Sequence, residues 1–292
     1  MAVATALPGI AAIAALAFTY VAVNQTKTQV DITAQGQITD RLNNAIQNLG
    51  ADKIDQRLGG VYALQRIMED SARDQPSVVQ ILSAYVRVHG AIPKSLPEQG
   101  GQGGADVIAA VGVLAQRSTE KDGFSKIDIR RTYLAAVELD SARFAQANLM
   151  EAVVDRATLS DASFVDANLE KLHAAQSNLA RADLRRVNAS GAYLVGANLT
   201  WADLRGVNFD GANLSRAKLG NADLQDANLT GANLCDADLT TVKGVTAAKL
   251  VTAELRISTR LPDSLKRDPR LLARIAENER ANAGKSDGFL TC

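Results

Sequence analysis

The side chains that most often carry enzyme chemistry are sparse here: 292 residues contain two histidines and two cysteines. His89 falls at the end of a helical pattern and His173 on an outward face, and neither lies in a sequence motif for a nucleophile or a metal site. Cys235 and Cys292 do not make a disulfide framework and have no metal-ligand neighbour at useful spacing, so a reducing compartment is the simpler expectation. Gly100, Gly101, Gly103 and Gly104 lack the following Lys-Ser or Lys-Thr of a phosphate-cradling loop. The expectation is therefore no catalytic set, no cofactor, no metal and no small-molecule substrate.

The residues that remain suit recognition. Arg181 and Trp201 stand twenty apart, as do Arg185 and Arg205, and Tyr193 is close in sequence to Arg186. A tryptophan flanked by arginines has the make-up of a contact hot spot, which makes Arg181, Arg185, Tyr193, Trp201 and Arg205 the candidate partner-binding set. Asp183, Asp203 and Asp223 run beside the arginines, so ladders of opposite charge are the competing reading. Either reading depends on what brings residues twenty apart together.

From Ile127 the chain repeats every five residues. Centres from Ile129 to Leu239 make 23 units; the centre is Leu, Ile, Val or Phe in 21, and the residue two before it is Ala in 16. Five matches neither the 3.6 period of a helix nor the 2 of an isolated strand. It suits a short extended face and a turn, with positions −2 and 0 inward and −1 and +1 outward.

The motif A-[DN]-L-x-x, as in Ala182-Asp183-Leu184-Arg185-Arg186 and Ala232-Asn233-Leu234-Cys235-Asp236, resembles the signature of the pentapeptide-repeat family. The resemblance implies a β-solenoid: a right-handed quadrilateral β-helix with about twenty residues per coil, hence roughly six coils and a rod on the order of 28 Å long at ~4.8 Å spacing. Residues 35–41 and 57–64 also resemble the helical region that precedes the repeats in many bacterial membrane-anchored members. Some members act as duplex-DNA mimics that bind and protect DNA gyrase, acidic rods joined through an apolar C-terminal end.

If positions twenty apart stack, Phe144 lies on Phe164, and small Ala189 sits beside large Phe209. At one irregular unit Leu172 takes the small site and Ala174 the large one, so volume is exchanged rather than lost. Asn148, Asn168, Asn188, Asn208 and Asn228 form one outward column, as amide ladders between stacked strands require.

Around the repeats, the uncharged run over residues 2–24 has the length of a membrane-spanning helix, and with no basic stretch before it a retained anchor is expected over residues 1–27. Lys27 and Arg41 then put the remainder in the cytoplasm of a single-pass protein. Residues 28–92 read as a small α-helical subdomain: a helix capped by Asp40 with Leu42, Ala45, Ile46 and Leu49 on one face, and two more carrying Leu58 to Met68 and Val79 to Val86. The pair Gly59-Gly60 sits inside the second, where it permits close packing. Residues 93–125 supply a Gly/Pro-rich linker and an N-terminal capping helix at 105–116. The repeats occupy 126–244, and 245–292 provide a capping helix at 245–256 and a polar helical tail, because a β-helix end exposes unpaired strand.

Acids and bases number 32 each, so no global field points to nucleic acid. Residues 126–240 carry 12 bases and 15 acids, a net −3 too small to favour DNA mimicry, while residues 241–292 carry 10 and 6. The leading expectation is a membrane-anchored, cytoplasm-facing scaffold or adaptor that binds an unknown protein partner through its rigid side; a DNA-mimic inhibitor or protector of an enzyme such as DNA gyrase is the alternative.

Overall fold

The structure, a computed structural model, describes residues 7–94 and 103–282, the side chains of residues 7–15 excepted. Between residues 128 and 243 parallel bridges join each outward residue to the one twenty later, as in Asn188↔Asn208, Tyr193↔Asn213, Asn198↔Lys218 and Asp203↔Asp223. Four bridge columns five residues apart make a coil with four faces, and the fold is a right-handed β-helix. We name the faces after those columns: first (Asn188), second (Tyr193), third (Asn198) and fourth (Asp203).

Two kinds of backbone bond build each coil. From Val137 on, the N–H two before a centre donates to the preceding centre, as Ala202 does to Leu199 at 3.1 Å. Between coils the donors alternate in direction: Asp203 N donates to Ala182 O on the coil before, and Leu204 N to Asp223 O on the coil after, each at 2.9 Å. The third residue of each corner turn from Arg131 to Asp236 has positive φ, near +58° at Asp161 and Asp166, the signature of a type II turn.

The inward register is the one the sequence predicts: Ala202 and Leu204 are buried and Asp203 faces out. Phe144 and Phe164 stack with centroids 5.5 Å apart, and Leu172 and Ala174 are both buried in their exchanged sites. The asparagine ladder is present, each Nδ2 donating to the Oδ1 one coil before at 2.9 to 3.4 Å. Each Oδ1 also accepts the amide N–H two residues on, so the ladder fixes both the stack and the corner.

Helices α1 (Leu7–Leu49), α2 (Ile54–Asp70), α3 (Gln75–His89) and α4 (Ala105–Gln116) precede the coils. Asp40 caps nothing, because α1 runs through it unbroken. The end of α1 packs on α2 through Gly60, where a Cβ would stand 2.8 Å from both Ala45 O and Leu49 N. Helix α4 covers the first coil: Arg143 N donates to Ala115 O, and buried Arg117 donates to Arg143 O while paired with Asp122 at 2.6 Å. Most of the expected linker, residues 95–102, lies outside the described residues.

The expected membrane anchor is overturned: no helix of the described residues is long and apolar enough to cross a membrane. Residues 2–6 of the expected span lie outside the described residues. The part of the run inside α1, residues 7–24, is rich in alanine, which contributes little hydrophobicity. At its end α1 continues into the polar residues Asn24 to Gln29. The single-pass placement with a cytoplasmic remainder falls with the anchor.

At the other end, the expected capping helix over 245–256 shrinks to one turn, α5 (Ala247–Leu250). The residues after it extend the ladder instead, since Glu254 pairs with Asn233 and Arg260 with Asp238. Helix α6 (Pro269–Asn282) then covers that edge: Arg274 donates to Ala253 O, a carbonyl that a further coil would otherwise bond, and Asn278 to Leu255 O.

Candidate partner-binding surface

The four-sided geometry sorts the five candidate residues. Trp201 and Arg181 occupy one corner column between the third and fourth faces, with Asp161 below and Asn221 above. Arg185 and Arg205 stand where the fourth face turns toward the first, beside the outward column Asp183, Asp203 and Asp223. These four residues therefore flank one face. Tyr193 does not join them: it lies on the second face, on the opposite side of the rod, with its ring 5.7 Å from that of His173.

The arginines are committed to neighbouring carboxylates. Arg181 forks onto Asp161 at 2.7 and 2.6 Å, and Arg186 onto Asp166 at 2.7 Å through both arms. Arg185 forks onto Asp183 at 2.8 and 2.7 Å and reaches Asp203 at 3.6 Å. Arg205 repeats this one coil on, forking onto Asp203 at 2.8 and 2.6 Å and approaching Asp223 at 4.0 Å. Hydrogen bonds from Arg181 and Arg205 hold the Asp161 and Asp203 carboxyls below the usual carboxylate range, and the bond to Asp203 raises Arg205. The ladder of opposite charge weighed in the sequence is thus the observed state of every arginine in the set.

Trp201 has no such structural explanation. It is 61% exposed, and its φ of +63° places a bulky side chain in the left-handed region. The repeat's other left-handed corners use glycine at Gly191, Gly196, Gly206, Gly211 and Gly231, or mostly polar side chains elsewhere. Its flank is low on the third-face side, where Ala180 and Gly220 lie one coil below and above Thr200. The ring therefore stands out from a flat wall.

The register made the Asp-x-Arg pairs at 183–185 and 203–205 legible, because −1 and +1 both point outward; one feature was not legible. The end clamps, Arg117 with Asp122 and Arg274 with Asn278, lie outside the repeat and leave no periodic trace. Among the described residues no group of three or more His, Cys, Asp or Glu is placed to hold a metal.

Comparison with known proteins agrees with the coil. The family model for pentapeptide repeats matches residues 162–200 and 202–240. Among solved structures, the chain is similar to alr5209, a pentapeptide repeat protein from Nostoc, at 30% identity over 41% of this chain and 82% of that one (TM-score 0.28). It is also similar to HetL, a pentapeptide repeat protein involved in heterocyst differentiation regulation from the cyanobacterium Nostoc sp., at 27% identity over 48% of this chain (TM-score 0.27), and it spans 66% of HetL's length. QnrB1, a plasmid-mediated fluoroquinolone resistance protein, matches at 16% identity over 54% of this chain and 83% of its own (TM-score 0.28). No curated protein sequence matches. With its 20-residue coil, its recurring A-[DN]-L-x-x units and the matched family model, the chain belongs to the pentapeptide-repeat family.

Proposed function

We propose that this protein is a rigid binding scaffold that holds a protein partner against the corner centred on Trp201. The observation that carries the reading is a 61% exposed tryptophan at a corner position that the repeat otherwise fills with glycine, alanine or polar side chains. An exposed aromatic side chain on a wall that needs no ordering fits a contact anchor. A solenoid also separates binding from folding, since each coil depends only on its neighbours.

Duplex-DNA mimicry is the weaker reading. A mimic needs a run of acidic charge, whereas here each outward arginine alternates with an aspartate along the fourth face. Helix α6 also occupies the C-terminal end through Arg274 and Asn278, where acidic rods of the family join.

The test is capture of partners from extract of the source cells by wild type, Trp201→Gly and, as a control on the opposite face, Tyr193→Ala. Trp201→Gly should fold with an unchanged circular dichroism spectrum and lose a specific partner that wild type and Tyr193→Ala retain. Equal recovery by all three would remove the corner from the account.

A further inference from the structure

We propose that the Trp201 corner receives a basic side chain, an arginine or lysine of the partner, with the Trp201 ring as its platform and Asp223 as its counter-charge. The inference rests on the preceding reading that this corner is the docking site, and it adds the chemistry of what docks.

The arginines disfavour the converse. A partner carboxylate or phosphate seeking a bidentate arginine would have to displace Asp161, Asp183 or Asp203, which already hold the Nε–Nη2 forks of Arg181, Arg185 and Arg205. An approaching anion would also face the aspartate column.

Charge compensation along that column is uneven. Asp183 is forked by Arg185; Asp203 is forked by Arg205 and has Arg185 at 3.6 Å. Asp223 is the end of the series: among the described residues the cation within 4.0 Å of it is Arg205, at that limit. One of its oxygens accepts the Gln225 N–H at 3.0 Å. Lys243 follows it in the column, exposed and beyond ion-pair distance. The carboxylate with the weakest compensation is thus the one nearest the tryptophan's next coil.

Position brings the two groups within reach of one ligand. Trp201 N donates to Gly220 O at 2.9 Å, so the tryptophan's corner lies directly under the coil that carries Asp223. With ~4.8 Å between coils and about 3.3 Å per residue along a face, their backbones are roughly 8 to 9 Å apart. A guanidinium or ammonium resting on an indole face is attracted by the ring quadrupole, tryptophan being the best such platform, and can point its remaining donors at Asp223.

The chain's one tryptophan is Trp201, so its intrinsic fluorescence reports this corner alone. The full chain is titrated with blocked (Gly-Arg)3, (Gly-Gln)3 and (Gly-Glu)3 peptides. The expected result is a saturable, salt-sensitive change with the arginine peptide and none with the others, and an increase of about fivefold or more in the half-saturating concentration for Asp223→Asn. Equal responses to the arginine and glutamine peptides, no response to the arginine peptide, or an unchanged Asp223→Asn titration would each overturn the proposal. Partner capture separates the two levels. If Trp201→Gly loses its partner while the arginine peptide gives no response, docking stands and the basic ligand is wrong; if Trp201→Gly captures as wild type does, both fall.

Discussion

Arg181 donates both arms of its guanidinium to Asp161, one coil toward the N-terminus, and so turns away from Trp201 in the same corner column. The pair spans two coils on an exposed corner, where bidentate geometry orders the side chains but solvent limits what the contact adds to stability. Charge in this corner is thereby spent within the rod, and the ring is left to the surroundings. Arg181→Ala should accordingly change the unfolding free energy by less than about 1 kcal/mol. Thermal melts of the two proteins check this.

Register makes a sharper demand. Leu204 is fully buried between coils, whereas Asp203 beside it faces solvent. Leu204→Asp buries an unpaired charge and should abolish the cooperative transition or lower stability by more than about 4 kcal/mol, whereas Asp203→Ser should cost about 1 kcal/mol or less. Equal melting temperatures would show the inward register to be wrong.

Two adjacent glycines in α2 should respond oppositely. A Cβ at Gly60 meets the α1 backbone at 2.8 Å, while one at Gly59 meets nothing within 4 Å. Gly60→Ala must push α1 away from α2 and should destabilise the helical region by roughly 1 to 3 kcal/mol. Gly59→Ala should stabilise it by up to about 1 kcal/mol through helix propensity. Chemical denaturation followed at the helical circular dichroism band distinguishes them.

The helical region also carries a pH dependence with a defined sign. Asp106 accepts from Arg57 at 2.6 Å and from Tyr85 at 2.5 Å. Burial alone would raise its pKa, but the bonds from Tyr85 and Arg57 outweigh burial and lower it. Tyr85 is pushed up to about 12, by burial first and then by its bond to Asp106. A lowered carboxyl gives stability that is present above the ordinary aspartate pKa and is lost as pH falls through the folded value. A raised phenol gives stability present below about pH 10 and lost as pH rises toward 12. Tyr85→Phe should therefore flatten the alkaline limb of the stability profile, and Asp106→Asn the acid limb, as read from melting temperature against pH.

The coil was legible because its physics is periodic. Ala202 and Leu204 must point inward for one five-residue unit to pack, and the same constraint recurs in every unit, so faces, the asparagine ladder and the Phe144–Phe164 stack all follow from arithmetic modulo twenty. The same arithmetic places Tyr193 on the opposite face from Asp203, ten residues being half a coil; nearness in sequence to Arg186 misled because a solenoid converts ten residues into opposition. The apolar run before Lys27 was misread for a different reason. Its lack of charge suggested a span, but alanine contributes little hydrophobicity and the helix runs on into polar residues. The ends of the rod obey no period. There, single side chains such as Arg117, Arg274 and Asn278 donate to carbonyls that the repeat would otherwise bond, and nothing local in the sequence marks them.

The most direct test of partner docking at the Trp201 corner is site-specific photocrosslinking in the source cells. A photoreactive phenylalanine is placed at Asn221, directly above Trp201 in the corner column, and separately at Tyr193 on the opposite face. The expected result is a discrete protein adduct from position 221 that disappears when Trp201→Gly is added, with none from position 193. An adduct from 193 alone, or one from 221 that survives Trp201→Gly, would contradict the account.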